Sequence, residues 1–213
     1  MRLPRLHVIT DDAVLARPDF VRWGRELLEL DLSPDVGLAL HLRGPRTTAR
    51  RLLELGRELG PAPALGPGAL LVNDRVDVAM LLGSGVHLAA RSLPTDEVRR
   101  LRGDAALVGR SVRGAGLGEE PPAGLDYLLV GTIFATPSHP ERPGDGLAAF
   151  GSARLPAVGI GGITPDRVAS VIQAGAHGVA ALGGVWGGNS PAAAARAYAQ
   201  ALEAAMETMG DHA

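Results

Sequence analysis

Eight short apolar stretches recur along the chain, and none of them alternates polar with apolar residues. They are LHVIT (6–10), VGLALHL (36–42), ALLVN (69–73), GVHLA (85–89), ALVGRSV (106–112), DYLLVGTIF (126–134), PAVGIG (156–161) and GVAALGG (178–184). Continuous apolar character is what a strand needs when both its faces are buried, as in parallel sheets covered by helices. Between the stretches lie helical patterns. FVRWGRELLEL (20–30) and TTARRLLELGREL (47–59) carry the clearest apolar stripes, followed by RVDVAMLLGS, TDEVRRLR, TPDRVASVIQAG and SPAAAARAYAQALEAAMETM. Eight strand-helix units in 213 residues predict an α/β protein, a single-domain (β/α)8 barrel over residues 1–208 with 209–213 as a frayed tail. A doubly wound sheet is the alternative that local pattern leaves open. Thr164 and Ser190, each followed by Pro, read as helix N-caps, and Gly175 as the end of the seventh helix. The units after the fifth and sixth strands are thin: GLGEEPPAGL holds barely one turn, and TPSHPERPGDG is a Pro/Gly-rich loop before a short helix at best.

Composition removes several classes of function. Hydrophobic residues at 46%, charged residues at 21% and a net charge of −2 describe an ordinary globular domain, with no electrostatic reason to bind nucleic acid or an anionic membrane. Apolar runs are broken well before the ~20 residues of a spanning helix, and MRLPRLHVITDD lacks a signal peptide's apolar core, so a cytoplasmic protein is expected. There is no Cys, hence no thiolate nucleophile, disulfide or Cys-ligated metal. Every basic residue is Arg; without a lysine amine, Schiff-base chemistry is excluded.

The glycines localise a ligand. VGIGGIT (158–164) follows the seventh strand, whereas a dinucleotide fingerprint follows the first and reads GxGxxG. In barrels the loops after strands seven and eight commonly bind phosphate with a helix N-terminus. Gly161 and Gly162 occupy the first of these loops, Gly183 and Gly184 the second. Close helix-on-strand packing is the structural alternative; the pairing of the two turns favours phosphate.

Taken in order, HVITDD, HLR, NDRVDVA, GVHL, GRSV, DYLLVGTIFATPSHP, GIGGITPDRV and GAHGVAAL resemble one family across nearly the whole chain: thiamin phosphate synthase and its relative, the thiazole tautomerase TenI. The resemblance implies a barrel with a phosphate site at the two glycine turns and a role in making the thiazole half of thiamin or joining it to the pyrimidine. It also exposes departures. Where synthases carry Gln-Leu-Arg-x-Lys, this chain has HLRGP, keeping Arg43 but placing Pro45 at the lysine. Asp74 matches the first of two Mg²⁺ carboxylates, and Ser92 stands at the second. Synthases carry a Thr-Lys or similar pair in the sixth loop, where Ser138-His139 stands here. TenI-type proteins carry a His after GRSV, and here the residue is Arg113.

These losses weaken the stabilisation of a departing pyrophosphate, which needs clustered cations or Mg²⁺. The expected activity is therefore of TenI type: the chain binds a thiazole phosphate and shifts a proton to aromatise the ring, with no cofactor. The alternative is thiamin phosphate synthase, with Mg²⁺ on Asp74 and Arg46, Arg110, Arg113 or Arg142 supplementing Arg43. A second alternative is a non-catalytic paralogue that keeps the phosphate site. On the tautomerase reading His41, Arg43, Arg113 and His139 are the catalytic candidates: an imidazole titrates near working pH, and a guanidinium grips carboxylates. Asn73, Asp74, Ser111, Thr136 and the four glycines are the substrate-binding candidates. His7 and His177 read as structural, and His87 as either. The partner is a small thiazole phosphate or related ester, and a homo-oligomer is possible.

Overall fold

The computed structural model describes residues 3–62, 68–113, 120–136, 144 and 146–210. Eight parallel strands pair in sequence order and close on themselves: β1 (Leu6–Ile9), β2 (Leu38–Leu42), β3 (Ala69–Asn73), β4 (Gly85–Leu88), β5 (Val108–Val112), β6 (Tyr127–Gly131), β7 (Ala157–Ile160) and β8 (Gly178–Ala181). Closure is made by β8 against β1, with Leu6 opposite Val179 and Val8 opposite Ala181. The barrel reading thus holds, and the doubly wound alternative does not.

The helices are α1 (Asp12–Leu15), α2 (Phe20–Leu28), α3 (Ala49–Leu59), α4 (Val76–Leu82), α5 (Thr95–Arg102), α6 (Val168–Gln173), α7 (Gly183–Trp186) and α8 (Pro191–Gly210). Local chemistry fixes their ends. The Asp11 carboxylate accepts the Val14 N–H at 2.8 Å, Thr48 caps α3 through the Arg51 N–H, and Ser190 accepts the Ala193 N–H ahead of α8. Thr164 instead precedes a 3-10 turn, Pro165–Arg167, without a side-chain cap bond. A six-residue 3-10 helix, Leu147–Ser152, fills the sixth unit, and residues 120–126 of the fifth hold no helix, in keeping with their thin sequence patterns.

Strand residues alternate between two cores. Leu6, Val8, Leu38, Leu40, Leu70, Val72, Val86 and Val130 face the helices and pack with Phe20, Leu27, Leu52, Leu55, Val98 and Leu202. Each such leucine, fully removed from water, contributes ~2 kcal/mol. Ile9, Ala39, Ala69, Leu71, Tyr127, Leu129, Val158 and Ala180 form a separate inner cluster within the barrel. Gly109 makes that interior possible: a Cβ there would lie 2.1 Å from the Tyr127 ring.

Candidate active site

The loops at the C-terminal ends of the strands, where barrel enzymes place their chemistry, carry most of the candidates. Thr10, just past β1, is fully buried and knits the first two strand ends together. Its hydroxyl lies 2.9 Å from the carbonyl oxygens of His41 and Arg43 and accepts the Arg43 N–H at 2.8 Å. The Arg43 backbone is thereby fixed, while its half-buried guanidinium makes no hydrogen bond or ion pair with any described residue. No sequence signal distinguished Thr10 from an ordinary strand threonine.

Asp74 does not cap α4. It sits at φ 60°, an uncommon backbone for a residue with a Cβ, and its Oδ1 accepts the Ala89 N–H at 2.7 Å. The carboxylate is therefore turned across the end of β4. Arg110 reaches the same loop, donating from Nη1 to Ala90 O at 3.2 Å and from Nη2 to Leu93 O. Its Nε–H is buried without a partner. Arg46 is instead paired with Asp12 in solvent, and Arg113 is exposed. Ser111 ends β5, half-buried, and Thr136 lies in the loop after β6. His139 and Arg142 lie outside the described residues.

The four glycines divide by what a side chain would meet. At Gly161 (φ 104°) a Cβ would come within 2.4 Å of Thr132, and at Gly162 (φ 62°) within 2.8 Å of Ala135 O. At Gly184 it would strike the Tyr198 hydroxyl at 2.1 Å, a group that donates to Ile163 O. Close packing thus explains glycine at these three positions. Gly183 alone opens onto empty space. Its amide and that of Gly184, in the first turn of α7, bond to no carbonyl of the described residues. A carboxylate placed there faces any bound phosphate directly. If these amides hold a substrate phosphate, Gly183→Asp is expected to raise KM for that substrate tenfold or more while Tm stays within about 2 °C, checked by steady-state kinetics and thermal melts.

Below the mouth lies a buried polar layer. His7, His41 and His87 and the Tyr127 ring pack against one another, with centroids 4.9 Å apart for His7–Tyr127 and 5.2 Å for His41–His87. His7 Nε2 is 3.1 Å from Pro4 O, His7 Nδ1 is 2.9 Å from His41 Nε2, and His41 Nδ1 is 3.1 Å from Asn73 Oδ1. His87 spans Tyr127 Oη (2.9 Å) and Ser111 Oγ (2.8 Å). Burial is the main cause pushing all three imidazoles well below their ordinary value, helped for His41 by the charges of His87 and Arg43. For His87, brought down to about 3, His7, Arg43 and Arg110 add to burial. His41 therefore stays neutral at working pH, which corrects the reason for expecting it to transfer a proton. His7, read from sequence as structural, belongs to the same connected layer.

This layer also sets an acid limit on the fold. The unfolded chain binds protons on these histidines near pH 6.5, whereas the folded chain refuses them until far lower pH. Stability therefore falls as pH is lowered below about 6, with His87 alone approaching about 1.4 kcal/mol per pH unit and His7 and His41 adding in the same direction. Urea midpoints measured from pH 7 to 4 are expected to drop steeply below 6; a flat profile contradicts the buried neutral layer.

A cavity of about 500 Å³ opens at the opposite end, among Leu3, Arg5, Asp35, His177, Glu203 and Glu207. It lies on the floor side, where barrel residues serve stability more than chemistry. Among the described residues no group of three or more His, Cys, Asp or Glu gathers to hold a metal ion, and no helix is long and apolar enough to cross a membrane.

A closed barrel with paired glycine turns, an arginine unpaired among the described residues and a buried polar layer at one mouth defines a barrel enzyme built to handle a phosphate ester. The chain belongs to the thiamine monophosphate synthase (TMP-TENI) family, whose model matches residues 6–185, and is an enzyme of thiamine biosynthesis. The thiamine-phosphate synthase of Natronomonas pharaonis is 40% identical over 173 residues, 77% of this chain and 81% of that protein. That of Moorella thermoacetica is 40% identical over 185 residues, 81% of this chain and 87% of that protein. Among solved structures, thiamine phosphate pyrophosphorylase from Pyrococcus furiosus superimposes with a TM-score of 0.69 at 27% identity, over 94% of this chain and 96% of that one. A 3-hexulose-6-phosphate synthase, 16% identical with a TM-score of 0.66 over 93% of this chain and 99% of that one, shares the fold. The relatives at about 40% identity carry the synthase name, which overturns the TenI-type tautomerase expectation. Pro45 and Ser92 are two local departures in a chain that otherwise matches those synthases over about four-fifths of its length.

Proposed function

We propose that the protein is a thiamine-phosphate synthase, a transferase that joins a thiazole phosphate to hydroxymethylpyrimidine pyrophosphate and releases pyrophosphate. The observation that carries this reading is the convergence of Asp74 and Arg110 on the loop after β4, with Arg43 anchored through Thr10 just past β2. Both guanidinium charges act on His87, and Asp74 and Arg110 each grip the 89–93 loop. Arg43, whose guanidinium has no partner among the described residues, and Arg110, whose buried Nε–H has none among them, are the cations available to an anion.

In this reaction the bond from the pyrimidine methylene carbon to the pyrophosphate oxygen breaks, and the electron pair leaves with the pyrophosphate. The thiazole nitrogen then bonds the electron-poor methylene. Arg43 and Arg110 stabilise charge that grows on the leaving group, so their attraction is stronger in the transition state than in the ground state. Gly183 and Gly184 hold the thiazole phosphate on backbone amides, which fixes the nitrogen's approach. Arg113, exposed just past β5, is a further cation at the C-terminal end of the strands. Thr136 contributes a hydroxyl in the loop after β6.

The donor set also bears on Mg²⁺. Asp74 spends one carboxylate oxygen on Ala89 N–H and retains the other, and Mg²⁺ rests on one or two carboxylates completed by substrate oxygens and water. The site fits the ion on those terms, with Asp74 as its protein ligand. When bound, Mg²⁺ neutralises charge on the leaving pyrophosphate.

The test is purified protein with Mg²⁺ and both substrates, following thiamine phosphate and pyrophosphate in equal amounts. Product at an enzyme-like rate, lost on chelation, supports the synthase. Tight binding of the thiazole phosphate with no turnover identifies a non-catalytic paralogue instead.

A further inference from the structure

The polar layer is a set of hydrogen bonds whose direction follows from counting protons. Pro4 O only accepts, so His7 Nε2 carries a proton and donates to it. The charged groups acting on the His7 and His41 rings are other histidines and the Arg43 cation, with no carboxylate among them, so a buried imidazolium would have no counter-charge. With His7 neutral, its Nδ1 accepts, and His41 Nε2 donates across the 2.9 Å contact. His41 then has a bare Nδ1. The coordinates set Asn73 Oδ1 3.1 Å from that nitrogen, but the two ends of an amide have the same shape, and turning it end for end meets the bare Nδ1 with Nδ2–H and points the oxygen away.

The second branch obeys the same arithmetic. Tyr127 is fully buried, and His87 Nδ1 is the one described partner of its hydroxyl. A buried O–H left without an acceptor is expensive, so the phenol donates to Nδ1. His87 Nε2 consequently carries the proton and donates to Ser111 Oγ at 2.8 Å. The Ser111 hydroxyl proton is left unspent.

We propose that His7, His41, His87 and Tyr127 are positioning residues that polarise the layer from floor to mouth, so that Asn73 offers the substrate a carbonyl oxygen and Ser111 offers it an O–H donor. The ligand chemistry this matches is an N–H or O–H donor facing Asn73 and an acceptor, a ring nitrogen or phosphate oxygen, facing Ser111. Only that ligand assignment rests on the synthase reading. The proton positions are read without substrate, so the two ideas fail separately.

The experiment is long-range ¹H–¹⁵N correlation on the ¹⁵N-labelled full chain at pH 7. All three histidines are expected as neutral Nε2–H tautomers with bare Nδ1. A His41 or His87 carrying Nδ1–H, alone or as imidazolium, overturns the proposal. Two variants locate the cause. Ser111→Ala is expected to leave His87 as the Nε2–H tautomer, because the phenol below sets it. Tyr127→Phe is expected to make the Nδ1–H form detectable and to lower kcat/KM about tenfold. A phenol that only fills space leaves the His87 tautomer unchanged when removed, and that result also overturns the proposal.

Discussion

Replacing Arg43 with Gln is expected to lower kcat by two to three orders of magnitude while shifting Tm by no more than about 2 °C. The guanidinium makes no hydrogen bond or ion pair with the described residues, so folding loses little when it goes. Its backbone, by contrast, is held through Thr10, so the substituted side chain starts from the same place. Gln keeps reach and a hydrogen-bond donor but removes the charge. The loss of a fixed group that meets developing charge typically costs about 3–4 kcal/mol of transition-state stabilisation, which is the expected rate effect. Steady-state kinetics with the pyrimidine pyrophosphate, beside a thermal melt, checks both halves. A rate within tenfold of the parent assigns the leaving-group charge elsewhere, with Arg110 the next cation to substitute.

Gly178→Ala is expected to have the largest effect on the fold. A Cβ at this position lies 2.2 Å from Arg5 O and 2.7 Å from Arg5 Cα, both backbone atoms with no rotamer to escape into. The next residue donates its N–H to that same Arg5 carbonyl at 2.8 Å. The methyl group therefore pushes β8 away from β1 where the barrel closes. A cost of about 3 kcal/mol, or roughly 6–12 °C in Tm for a chain this size, is expected by calorimetry. Gly183→Ala is the matched control, since its Cβ meets nothing within 4 Å.

The architecture was legible because it is written in local pattern. Each of the eight apolar stretches became a strand within a few residues of its expected bounds, and the thin fifth and sixth units are thin in the structure. The chief error of detail lay at 178–184, where the apolar run continued through Leu182 but the chain turns into α7 at Gly183. The site was less legible. Glycine is demanded both by a phosphate and by a near neighbour, and only the fold separates Gly183 from Gly161, Gly162 and Gly184. The inward alternation of β1, β2, β4 and β6 places His7, His41, His87 and Tyr127 in one layer, yet no two are close in sequence. The turn of the Asp74 carboxylate towards Ala89 rests on a φ of 60°, which is not a property of the residue type.

The separation of the two cores bears on how this molecule can be watched. Both tryptophans, Trp23 and Trp186, belong to the helix-facing cluster, and Trp186 donates its indole N–H to Ile9 O at 2.8 Å. Intrinsic fluorescence therefore follows the outer shell and is nearly silent about the lumen. The lumen has its own chromophore in Tyr127, within van der Waals reach of His7 and His87. Melting curves recorded at the two chromophores should coincide if shell and lumen form one cooperative unit. A gap between them would measure how far the barrel can loosen inside while its outer wall still stands.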